Sequence, residues 1–229
     1  MARRAVQALV RETLREGADY VQGLVAMPNG KGKLESVKTG QGDEIRAGEY
    51  VFACGSWLPK IFPELLRGRI FPTRQEVFFF GPPAGETRFQ PPAFPAWICR
   101  SEAIYGVPDL ENRGVKISSD DHGPDIDPDT EQRTAGPESV KAMREYLGKR
   151  FPALRGAPVV ETRVCQYENT SNGDFLIDRH PAFSNVWLVG GGSGHGFKHG
   201  PALGEMVSDA VLGLKTPPSE FALSRLKKN

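Results

Sequence analysis

One short run constrains this chain more than any other feature: Gly190-Gly191-Gly192-Ser193-Gly194-His195-Gly196-Phe197-Lys198, preceded by the apolar Val186-Trp187-Leu188-Val189 and followed by a helical pattern from Ala202 to Leu212. The pattern predicts strand, tight loop, helix. Glycines without Cβ let a loop press its backbone against a ligand, and the helix N-terminus offers unpaired N–H groups and a positive dipole end to electron-rich ligand atoms. Turns of this kind also arise for purely geometric reasons, and the glycines alone leave both readings open. Cys165-Gln166-Tyr167 and Asp178-Arg179-His180-Pro181 lie just upstream. A thiol, a phenol, an imidazole and an ammonium therefore fall within a few dozen residues of the loop.

Earlier in the chain, Glu35 to Lys38 and Tyr50 to Ala53 predict strands around the turn-rich Thr39-Gly40-Gln41-Gly42-Asp43, and the second strand runs into Cys54-Gly55-Ser56-Trp57. Phe78-Phe79-Phe80, Trp97-Ile98 and Ala103-Ile104-Tyr105 predict strands of a mixed sheet. The proline-rich Gly81 to Pro95 between them cannot lie inside a central sheet. Val140 to Leu147 predicts a short amphipathic helix ending near Gly148 and Phe151-Pro152, followed by a strand from Val159 to Val164. The chain opens on a helical pattern with Ala5, Ala8, Leu9 and Thr13 on one side. These elements describe an α/β (α+β) protein.

Lys+Arg 29 against Asp+Glu 28, with 39% hydrophobic residues, gives no basis for a nucleic-acid or membrane-surface partner. No run of about 18 apolar residues and no signal-peptide core near Met1 occurs, so a cytoplasmic location is expected. Cys54, Cys99 and Cys165 are odd in number and widely spaced, which argues against a disulfide framework or a zinc site. The acidic run Asp120 to Glu131 lacks the central glycine and closing glutamate of a calcium loop at the right spacing, so no metal is expected.

Cys-x-Tyr, then Asp-x-His-Pro, then Ser-Gly-His-Gly-Phe-Lys, in this order and spacing, resembles monomeric sarcosine oxidase and the related N-methyltryptophan oxidases, flavoenzymes of the D-amino-acid-oxidase-like superfamily. The agreement continues in Thr73-Arg74-Gln75, Tyr105-Gly106-Val107-Pro108, Gly114-Val115-Lys116 and Asp127-Pro128-Asp129-Thr130. The resemblance implies FAD and an incomplete Rossmann-like FAD-binding domain with an inserted mixed-sheet substrate domain. Residues 1–58 are expected to belong to the FAD-binding domain, 59–158 to the substrate domain, and 159–229 to the return into the first. Such flavoproteins begin with a G-x-G-x-x-G turn that holds the adenine nucleotide, and no such segment occurs here. The expectation is a truncated piece, with the nucleotide-binding segment supplied in cis or trans.

The resemblance also assigns roles. Cys165 stands where these enzymes attach flavin covalently, through a thioether at the 8α methyl; a buried cysteine is otherwise an inert small hydrophobe. Lys116 matches the lysine that contacts flavin N5 through water and promotes oxygen reduction, a fixed charge acting on developing negative charge; otherwise it is a solvated strand-end lysine. Lys198 matches the lysine that pairs with the substrate carboxylate, and its cationic partner in the family lies in the part without a counterpart here. Tyr105 and Tyr167 resemble the aromatic walls around the substrate and are assigned shape and hydrogen bonding. Gly55, with Trp57, resembles the small-residue turn beside the flavin nucleotide; the competing reading is a strand-ending turn with Trp57 in the core. Gly192, Ser193, Gly194, His195, Gly196 and Phe197 complete the expected flavin contacts. For His195, lining the ring edge and being fixed in the turn by backbone hydrogen bonds remain equal readings.

One position departs from sarcosine oxidase: Asp120 stands where that enzyme carries an active-site histidine. An acid there favours a substrate with an extra basic or hydroxyl group over simple sarcosine. The expected function is oxidation of a secondary amine or N-alkyl amino acid to an imine, with molecular oxygen accepting the electrons and yielding hydrogen peroxide. A dehydrogenase or multisubunit variant, and a catalytically silent fragment, are the alternatives.

Overall fold

The computed structural model describes residues 1–228. The chain forms two compact units, Pro72–Tyr167 and the segments on either side of it, Met1–Phe71 with the stretch from Glu168 onward. The division falls later than the boundaries expected at 58/59 and 158/159. Leu58, Phe62, Leu66 and Ile70 share one buried cluster with Leu176, Val186 and Leu188, which keeps them in the first unit, while Ala157 and Val159 pack with the core of the second.

In chain order the first unit contributes helix α1 (Ala2–Arg15), strands β1 (Val37–Lys38), β2 (Glu44–Ile45) and β3 (Tyr50–Phe52), and the short helices α2 (Leu58–Ile61) and α3 (Pro63–Leu66). Strand β4 (Ile70–Phe80) then carries the chain into the second unit, which holds β5 (Trp97–Cys99), β6 (Ile104–Val107), β7 (Val115–Ser119) and helix α4 (Pro137–Arg150). Strand β8 (Val159–Thr170) leads back to β9 (Leu176–Arg179), β10 (Val186–Gly190) and helix α5 (Gly200–Val211).

The second unit is built on a five-stranded sheet in the order β5-β6-β7-β4-β8. Its ladders between β4 and β7, β6 and β7, and β5 and β6 are antiparallel. Strand alternation sorts the residues. Phe78, Phe80, Val115, Ile117 and Ile104 point into a core closed by Leu147 of α4 and by Leu154. The aromatic rings of Phe89, Phe94 and Phe151 meet edge to face in that core, at centroid distances of 5.2 to 6.3 Å. Helix α4 begins with Pro137 in its first turn, as proline's fixed φ favours, and is longer than the expected Val140 to Leu147. It runs through Gly148, which packs beside Arg155.

In the first unit β10 lies between β3 and β9, parallel to the former and antiparallel to the latter, so mixed pairing occurs in this three-stranded sheet. A β1–β2 ladder, unanticipated at β2, pairs Val37 with Ile45. Asn185 ties the sheet to the preceding loop: its side chain accepts from the Leu34 N–H and donates to the Leu34 and Gly48 carbonyls. α1 buries none of its residues. No helix among the described residues is long and apolar enough to cross a membrane.

Candidate active site

The face of the five-stranded sheet opposite its core carries the polar chemistry. Cross-strand partners share a face, so the register Phe79↔Lys116↔Val107 and Tyr105↔Ser118 sets Lys116 and Tyr105 diagonally adjacent on β7 and β6. Lys116 Nζ lies 4.9 Å from the centroid of the Tyr105 ring, a cation–π contact. On β8, Arg163, Cys165 and Tyr167 alternate onto this same face. Tyr167 hydrogen-bonds Tyr105, and its phenol is held well above the usual range by burial first, then by Tyr105, Cys165 and Asp120. Arg113 and Arg163 bracket the Phe79 ring at 5.1 and 5.9 Å and share the Glu161 carboxylate. The fold therefore brings Tyr105, Lys116, Cys165 and Tyr167 onto one surface, with Asp120 at its end. The Arg113–Glu161–Arg163 cluster was not anticipated, because Arg113 lies 48 residues before Glu161, which shares β8 with Arg163.

The glycine run is organised by a residue that sequence reasoning also missed. Glu168 is 9% exposed, and its Oε1 accepts hydrogen bonds from the Gly191 and Gly192 N–H groups. Its backbone carbonyl accepts from Ser193 N–H at 3.0 Å. A Cβ at Gly190 would stand 2.8 Å from Oε1 and 2.9 Å from Leu58 Cδ2, so a larger residue there would displace the carboxyl or Leu58. Gly191, at φ +76°, is enclosed by Asp174 O and Thr170 Cγ2, each 2.7 Å from a built Cβ. Burial pushes the Glu168 carboxyl up to about 7 against the two N–H bonds, and Cys54 is raised by burial and then by Glu168.

This corrects the expectation that the loop's amides stand open to a ligand. Gly191 and Gly192 donate to Glu168 and Ser193 to its carbonyl, while the His195 and Gly196 N–H groups close on Gly192 O, both at 2.8 Å. Nor does the run lead straight into the helix: a 3-10 turn, Gly196–His199, intervenes because Ser193 and Gly194 adopt φ of +42° and +77° and reverse the chain. His195 Nε2 lies 3.2 Å from Gly173 O and its ring meets Phe175 edge to face, which matches the backbone-fixed reading. Lys198 Nζ donates to His195 O at 3.1 Å and is exposed, as is Phe197. Gly55 is in the left-handed region at φ +55°, and Trp57 is 39% exposed, against its alternative reading as a core residue.

The sequence matches the family described as FAD dependent oxidoreductase over residues 1–210. It is 35% identical over 205 residues to monomeric sarcosine oxidase of Bacillus sp. (strain NS-129), covering 85% of this chain and 52% of that protein. It is 31% identical over 202 residues to N-methyl-L-tryptophan oxidase of Salmonella heidelberg (strain SL476), covering 84% and 50% respectively. The crystal structure of fructosamine oxidase (Amadoriase II) from Aspergillus fumigatus superposes with a TM-score of 0.80 at 25% identity, covering 98% of this chain and 56% of that one. The chain thus spans about half the length of the curated relatives it matches. A match across nearly all of this sequence identifies the chain as a member of the FAD-dependent oxidoreductase family.

Proposed function

We propose that this chain forms the amine-handling part of an FAD-dependent oxidase that converts a secondary amine or N-alkyl amino acid to an imine, water then hydrolysing the imine and oxygen ending as hydrogen peroxide. The observation that carries this reading is the sheet face on which Lys116 stacks on Tyr105 and Tyr105 bonds Tyr167, in line with Cys165.

The residues present suit a flavin. A Cβ built on Gly55 would meet only Glu168 Oε2, at 3.7 Å, and one on Gly192 only Gly196 Cα, at 3.9 Å, so both turns leave backbone open to close approach. Gly55, Trp57 and Gly192 to Lys198 would flank the cofactor, and Cys165 would anchor it through sulfur. When bound, the flavin supplies the two-electron chemistry.

The side chains of this chain bind, orient and carry charge. Tyr105 and Tyr167 wall the site and hydrogen-bond its occupant, Tyr167 being held far from ionisation by its burial. The Lys116 ammonium, fixed against the Tyr105 ring, stabilises negative charge developing on oxygen. Lys198 turns from His195 O to pair with the substrate carboxylate. Asp120 adds an acid near Tyr167 and favours an amine bearing a further basic or hydroxyl group.

The test is aerobic oxidation of N-methyl amino acids by the FAD-loaded protein with its nucleotide-binding segment supplied, since this chain alone is expected to be inactive, with peroxide and imine-derived carbonyl quantified together. Equimolar peroxide and carbonyl are expected. Carbonyl without peroxide, requiring an added dye acceptor, would replace the oxidase reading by a dehydrogenase, and neither product with any secondary amine would overturn it.

A further inference from the structure

The Glu168 carboxyl sits where two glycine turns meet, and half of it is unused. Strands β3 and β10 are parallel neighbours whose carboxyl ends run into Cys54-Gly55 and Gly190-Gly192. Ligands of open α/β sheets bind at such carboxyl edges. Oε1 is engaged by the Gly191 and Gly192 amides, whereas Oε2 is buried and has no hydrogen-bond partner among the described residues. A buried acceptor left unsatisfied costs about 1–3 kcal/mol, so its retention calls for a partner. Above Gly55 lies an opening in which Oε2, at 3.7 Å, is the only neighbour of a built Cβ within 4 Å among the described residues. An anionic group is a poor occupant, because the carboxyl already holds the loop amides that would have received it. A neutral hydroxyl donor suits both the free oxygen and the opening, as acidic side chains at the ribose of nucleotide sites do.

We propose that Glu168 is a cofactor-recognition residue whose Oε2 accepts a hydrogen bond from a hydroxyl on the polyol or sugar chain of the bound flavin nucleotide. The assignment rests on the FAD reading above and adds Glu168 to the expected Gly192 to Lys198 contacts. Glu168→Gln is nearly isosteric: its amide oxygen keeps the Gly191 bond, and its NH2 then points a donor at the opening where an acceptor is required. Gly55→Ala fills the opening with a methyl group without touching the Gly191 bond.

Binding is measured on the FAD-free chain with riboflavin, with lumiflavin, which has the same ring system but no polyol, and with ADP, which has a ribose but no flavin ring or polyol, using flavin fluorescence and calorimetry. Far-UV circular dichroism and melting establish that each variant is folded. Glu168→Gln should weaken riboflavin about ten- to a hundredfold and leave lumiflavin unchanged, placing the contact on the polyol; a loss confined to ADP places it on the ribose instead. Gly55→Ala should weaken the same ligand. Unchanged affinity for both hydroxyl-bearing ligands in folded Glu168→Gln, or an equal loss for lumiflavin, overturns the assignment while leaving the FAD reading intact. A wild-type chain that binds none of these ligands, and no FAD even with the nucleotide-binding segment supplied, overturns the FAD reading and the assignment with it.

Discussion

The two units place polar chemistry by different means. In the second, a strand's own alternation does the work: Phe78 and Phe80 enter the core, while Phe79 between them lies buried on the other face of the sheet, beside Arg113 and Arg163 and across from Lys116. In the first, the chemistry gathers where Glu168, the Gly55 turn and the Gly190 to Gly192 turn converge from distant parts of the chain. A sheet face tolerates exchange of its side chains, because each stands on its own backbone. A convergence of turns does not, because the carboxyl and the missing Cβ atoms define one another.

Substitutions on the two sides should therefore fail in different ways. The most complete loss is expected at Cys165. If it anchors the flavin, acid precipitation of the FAD-loaded protein leaves a colourless supernatant for the wild type and releases all the flavin from Cys165→Ser, read by absorbance. Yellow wild-type supernatant would remove the covalent link. Lys116→Met on the same face should slow reoxidation by oxygen about a hundredfold and leave anaerobic reduction by substrate comparatively unaffected, as stopped-flow of the two half-reactions would reveal.

Glu168 should respond to pH where the sheet face does not. Its carboxyl is near 7 in the folded chain against an ordinary 4.5, so the folded state binds the proton more tightly. The resulting stability is complete below about 4.5 and is lost as pH rises through 7, a decline of about 3 kcal/mol. Urea midpoints should fall across that window for the wild type, and Glu168→Gln should flatten the fall. A flat wild-type profile would mean that the carboxyl finds a partner in solution.

Lys198→Met should weaken binding of a carboxylate substrate by about 1.5–3 kcal/mol, measured as the substrate dissociation constant, with little effect on melting because the ammonium is exposed. Arg163→Ala should matter least. Its side chain is 36% exposed, so losing the Glu161 pair and the contact on Phe79 should lower stability by about 1 kcal/mol or less. A larger drop would show that the outward face of the sheet is as interlocked as the turns.

Much of the second unit was legible because its signals are local. The alternation around Phe78-Phe79-Phe80 and the spacing of Cys165 to Tyr167 are readable along one strand, and the structure groups Tyr105, Lys116, Cys165 and Tyr167 on a common face. Helix α4 was read short because Gly148 looks like a stop signal. The helix nevertheless continues through buried Gly148 to Arg150. The glycine loop was recognisable as a loop, and its position after β10 was predictable. The state of its amides was not, since the group that occupies them lies 23 residues away in sequence.

The order of residues along the chain was enough to establish the family, the strand that feeds the glycine run, and which residue types bear the chemistry, since periodicity and motif spacing are properties of neighbours. Tertiary structure decided which groups are spent and which are free. It closed the loop amides on Glu168 and Gly192, turned Lys198 onto His195 O, set Lys116 on the Tyr105 ring, and left Glu168 Oε2 near Gly55 without a partner among the described residues. The reason is physical. Burial and hydrogen-bond satisfaction depend on what surrounds a group in three dimensions, and for Glu168 those surroundings come from turns that only the folded backbone brings together.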